Sequence, residues 1–83
     1  MCRNITILRG LEPPATTEEV EAASRQFVRK ISGITKPSAA VEARFERAVA
    51  EIAAISAELL AELPPRKQPP TSVPPMRRHA GRP

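Results

Sequence analysis

Ser38 to Leu63 reads SAAVEARFERAVAEIAAISAELLAEL, the longest stretch of the chain free of glycine and proline. Val41, Phe45, Ala48, Ile52, Ile55 and Leu59 recur at alternating steps of four and three, the spacing of an apolar seam on one face of a helix. Val49, Leu60 and Leu63 widen the seam into a core-facing stripe. Glu42, Arg44, Glu46, Arg47, Glu51 and Glu58 occupy the other side. Alanine, the best intrinsic helix former, fills much of the remainder. Ser38 stands at the N-cap position, and Pro64-Pro65 cannot continue the hydrogen-bond ladder. The stretch predicts a helix over 39–63. Its stripe serves either as a core face alone or as a seam that also pairs with a second copy.

Upstream, Glu12-Pro13-Pro14 forces an extended path, because a residue before proline is driven out of the α region. A helix start follows. Thr16 and Glu19 have the spacing of a capping box, and Ala15 and Val20 that of a hydrophobic staple. Glu18, Glu19 and Glu21 crowd the first turns and Arg29 and Lys30 the last, each on the side the helix dipole favours. Glu21 and Arg25 form an i,i+4 pair. Val20, Ala23, Phe27 and Ile31 mark the expected buried stripe, with Val28 on its flank. Gly33 is placed to end the helix in a left-handed residue, with Ile34 returning to Val28 as in a Schellman motif. The helix is predicted over 17–32. A connection of about five residues then favours an antiparallel hairpin, with Phe27 and Phe45 as its largest core side chains.

The N-terminal MCRNITILRG is too short for periodicity to separate strand from helical turn. It is read as a strap, residues 1–15, packing apolar side chains over the helices. The segment 64–83, PPRKQPPTSVPPMRRHAGRP, holds seven prolines, with Pro-Pro pairs at 64, 69 and 74. Such a composition supports neither helix nor central strand, and a disordered or polyproline II-like tail is expected. The predicted fold class is therefore all-α. An antiparallel two-helix hairpin and its strap form a small domain over 1–63, and a disordered Pro/Arg-rich tail follows over 64–83.

At 83 residues the chain allows one domain with little apolar surface to bury. Net charge is +4, but residues 1–63 sum to −1 and residues 64–83 to +5, so the basicity belongs to the tail. One cysteine cannot make an internal disulfide, and no apolar run approaches a membrane span or a signal-peptide core. The expectation is a cytoplasmic protein without membrane partners.

The chemistry is sparse. Cys2 is the candidate reactive residue. With Met1 removed it becomes an N-terminal aminothiol beside Arg3, although scaffolds that exploit such nucleophiles are much larger. One Cys and one His fall short of a structural zinc site, and His79 lacks a fixed partner for general-base work. The candidate polyanion contacts are Arg29, Lys30, Lys36, Arg66, Lys67, Arg77, Arg78 and Arg82, with no interleaved aromatic residue for base stacking. No metal or other cofactor is expected, and no catalytic constellation is present. A non-enzymatic protein-interaction module is the leading expectation. Its candidate interface is Ile52, Ile55, Leu59 and Leu63, left beyond the shorter first helix, and its partner is another protein or itself as a homodimer. Nucleic-acid binding through the tail is the weaker alternative, and a Cys2-dependent activity a distant third.

The segments MCRNI, LEPPAT, QFVRKISG, KPS and FERAV together resemble a family of short bacterial proteins of unknown function. The resemblance covers roughly residues 1–63. It implies that MCRNI belongs to the domain, and it implies no activity.

Overall fold

The computed structural model describes residues 5–66, 73, 74 and 77. Two helices, α1 (Thr17–Ser32) and α2 (Glu42–Glu62), pack against each other as an antiparallel hairpin, and no strand occurs among the described residues.

α1 has the ends its sequence predicts. Thr16 is the N-cap, with extended backbone. Its hydroxyl accepts from the Glu19 amide at 3.1 Å, and the Glu19 carboxylate accepts from the Thr16 amide at 2.8 Å, completing the capping box. Gly33 closes the helix at φ +71°, a conformation a side chain would oppose. The ending is the simpler left-handed cap, in which the Gly33 amide donates to the Arg29 carbonyl at 2.9 Å. Instead of the second bond of a Schellman motif, the Ile34 amide donates to Ser32 Oγ at 3.1 Å.

α2 starts three residues later than expected. The Ser38 carbonyl accepts from Val41 N–H at 3.1 Å, closing a tight three-residue turn in place of the first α-helical bond, and Val41 takes the N-cap position without a side-chain cap. At the far end Leu63 is already extended, as a residue before proline must be.

The core is smaller than the sequence stripes and lies on a different row. Val28, Phe45 and Val49 form the buried cluster, with Ile34, Ala48 and Ile52 packed on it. On α1 the buried positions are Val20, Ser24 and Val28, one straight i,i+4 row, and Ser24 is accommodated because its hydroxyl donates to the Val20 carbonyl at 2.8 Å. The expected row through Phe27 and Ile31 is corrected: Phe27 is 44% and Ile31 69% exposed. α2 is turned to match. Phe45 and Val49 face α1, whereas Ile55 and Leu59 are 64% and 58% exposed. On the side of the hairpin away from those residues, Arg25 clamps the helices by donating to both carboxylate oxygens of Glu46, at 2.5 and 2.9 Å. The expected Glu21–Arg25 pair is longer, at 4.0 Å.

Over residues 5–15 the N-terminal arm is neither strand nor helix. With no neighbouring strand to pair with, it runs irregularly across the open end of the hairpin, burying Leu11 and half-burying Leu8. It turns at Gly10, φ +87°, where a Cβ would also meet the Arg66 side chain at 3.1 Å. Arg9 Nε donates to the Pro64 carbonyl at 2.9 Å and ties the arm to the end of α2.

The two phenylalanines should therefore behave differently. Phe45→Ala is expected to cost about 3 kcal/mol or more, enough to unfold much of a domain this small. Phe27→Ala in dilute solution should cost less than about 1 kcal/mol. Urea titration followed by helical circular dichroism checks the pair, and equal costs would contradict this core.

Candidate functional site

The roll of the two helices leaves a trough on one face of the hairpin. Ala23 and Phe27 of α1 form one wall, Ile52 and Leu59 of α2 the other, and Ile5 and Leu8 of the arm close one end, enclosing a groove of about 390 Å³. Among the described residues the arm does not line the groove toward the loop end, and Ile31 continues the apolar surface along α1. No titratable side chain among the described residues lines the groove. Its polar contributions are Ser24, Ser56 and Thr6, whose Oγ1 is buried without a hydrogen-bond partner. A second cleft, also about 390 Å³, lies between the arm, the start of α1 and the end of α2, with Leu63 and Pro64 on its rim.

Of the candidate interface residues, Ile52 is half-buried against the core, Ile55 and Leu59 are exposed beside the groove, and Leu63 borders the second cleft. Among the described residues no group of three His, Cys, Asp or Glu side chains is placed to hold a metal ion, and no helix is long and apolar enough to cross a membrane.

The cationic candidates divide. Arg29, Lys30 and Lys36 are exposed at the last turn of α1 and in the loop. Arg29 also adds to the field that, after the direct hydrogen bond from Arg25, holds the Glu46 carboxyl below its ordinary value. Arg66 is half-buried against Gly10, with Nη1 buried and unpartnered. Lys67, Arg78 and Arg82, like Cys2 and His79, lie outside the described residues, as does most of the segment expected to be disordered. Two further described tail residues are held against the body. Pro74 is buried, and Arg77 reaches the start of α1.

That contact has no signature in the sequence. Arg77 Nε donates to Glu19 Oε2 at 2.7 Å and Nη2 to Oε1 at 3.1 Å. The same Nη2 donates to the Pro13 and Pro14 carbonyls at 2.6 and 3.0 Å. Consecutive prolines leave those carbonyls outside any ladder, and one guanidinium satisfies both while pairing the buried capping carboxylate. Glu19 was legible as a capping residue. A partner 58 positions away was not, since only the fold's return path brings the two together.

A family model described as an uncharacterized conserved protein, DUF2277, matches residues 1–82. The chain belongs to that family. The match extends beyond residues 1–63 and takes in the tail, in keeping with a DUF2277 structure in which Arg77 is tied to α1. No curated protein and no solved structure matches the chain.

The Glu19 clasp has a pH signature. The hydrogen bond from Arg77, and then those with Thr16, hold the Glu19 carboxyl below its ordinary value of 4.5 against the opposing effect of burial. A depressed folded-state value means that the stabilisation is complete above the unfolded-state value and is lost as pH falls through the lower folded-state value. Wild-type melting temperature should therefore drop as pH falls below that ordinary value. Glu19→Gln and Arg77→Ala should each reduce that drop, leaving the share that Glu46 contributes through Arg25. An acid limb unchanged in Arg77→Ala would show that the clasp does not form in solution.

Proposed function

We propose that this protein is a small non-enzymatic interaction module whose apolar groove receives an apolar helical segment of a partner. The observation that carries the reading is the convergence of Phe27, Ile52, Leu59 and Ile5 on one uncovered trough, continued by Ile31 and Ile55. The exposed parts of Phe27, Ile31, Ile55 and Leu59 amount to on the order of 400 Å² of apolar surface, a size that marks interaction sites more often than idle surface. A shallow trough between two helices is the shape that accepts the stripe of a third, with side chains at helical spacing as anchors. Among the described residues the lining offers no acid, base or thiol. The reading through the basic tail has less support, because Arg77 is engaged with Glu19 and Arg66 is packed on Gly10.

A photo-crosslinking amino acid placed at Phe27, at Leu59 and, on the far side of α2, at Ala54 tests this in the native cell. Discrete adducts are expected from the first two positions and none from the third. The same adduct pattern from all three positions, or no adduct from Phe27 and Leu59, would overturn the groove as the binding face.

A further inference from the structure

Within that reading, we infer that the occupant of the groove is a second copy of this chain, packed face to face with the two α2 helices antiparallel.

The first support is spacing. α2 carries two apolar rows: one, through Phe45 and Val49, is used against α1. The other, Ala48, Ile52, Ile55 and Leu59, steps by four, three and four. That period fits a facing helix with the same repeat, which is the requirement for knobs to enter holes. A copy of α2 supplies it.

Charge decides the direction. Arg44, Glu51 and Glu58 follow one another at seven-residue intervals along the free flank of this second row, the flank away from α1. Among the described residues Arg44 and Glu58 form no ion pair within the chain. In an antiparallel pairing Arg44 of each copy comes beside Glu58 of the other, so the two-fold axis creates two opposite-charge contacts. Glu51 meets its own copy near that axis, where Arg47 at 2.6 Å balances each carboxylate. A parallel two-fold would put the Arg44–Glu51–Glu58 flanks of the two copies on opposite sides of the seam, so neither opposite-charge contact would form.

Coverage points the same way. The described part of the arm closes the groove at the open end of the hairpin, while Phe27 and Ile31 toward the loop are 44% and 69% exposed. An antiparallel two-fold sets the open end of one copy against the loop end of the other. The half-exposed Ile5 of one arm then lies toward the Ile31 end of the other copy's groove. Two such faces with their arms bury on the order of 1,000 Å², the lower range for specific complexes. The product is a four-helix bundle with about twice the shared core.

Sedimentation equilibrium of the full chain over about 1–100 μM is the test, with circular dichroism as the control for folding. The wild type is expected to dimerise. Ile55→Glu and Leu59→Glu, at positions exposed in the single copy, should give monomers with helicity retained. Arg44→Glu and Glu58→Arg should each weaken the dimer about tenfold, and an equimolar mixture of the two should recover wild-type affinity. A wild type monomeric throughout, with crosslinks from Phe27 to a protein of different mass, would remove the second copy while leaving the groove reading intact. A dimer indifferent to Ile55→Glu and Leu59→Glu would place the interface elsewhere. A mixture no tighter than either charge variant would overturn the antiparallel alignment.

Discussion

The roll of α1 against α2 is set by the packing of Val28 between Phe45 and Val49, and the rest of the molecule follows from it. Val49 is almost completely buried, and a β-branched residue held that tightly allows little rotation of its helix. With that contact made, the straight row Val20–Ser24–Val28 faces inward and the row through Phe27 turns to the edge. The Arg25–Glu46 clamp acts in the same sense from the opposite side, since its bidentate geometry is sensitive to a rotation of either helix. The trough is the outer consequence of an inner constraint.

The start of α1 is the second point of convergence. Glu19 caps the helix, receives Arg77 and is nearly buried, so local and long-range interactions meet on one carboxylate. The prolines before it prevent helix and sheet alike, and the carbonyls they leave become acceptors for the returning guanidinium. Residues usually read as punctuation thus act as ligands for a distant side chain. The arm is tied in parallel with this clasp, by Arg9 to the Pro64 carbonyl and by Gly10 beneath Arg66. Arg9 and Gly10 from the arm and Arg66 and Arg77 from the tail therefore meet the hairpin at its open end.

A domain of this size has few ways to cover apolar surface. Two helices enclose one line of side chains, and any stripe wider than that line remains at the surface unless another element covers it. Here the arm covers part of the excess at one end, and family membership extends over the tail that helps secure the arm. The excess left over lies on one face and has a regular repeat, which distinguishes it from scattered exposed residues.

Local chemistry determined much of the fold directly from the sequence. Thr16, Glu19 and Gly33 set both ends of α1, Pro64 set the end of α2, and the short connection between them required an antiparallel hairpin. These features were legible because each depends on residues within a few positions of one another. The later start of α2 was not, since a single carbonyl at Ser38 chooses between bonding to Val41 and bonding one residue farther on. Which of two adjacent apolar rows faces the partner helix was settled only by tertiary packing. The row through Phe27 is the more apolar, since the row through Val28 carries Ser24. It is the fit of Val28 to Phe45 and Val49 that turns the Val28 row inward. The pairing of Arg77 with Glu19 belongs to the same class, because a contact across most of the chain is created by the path of the fold and leaves no mark in local spacing.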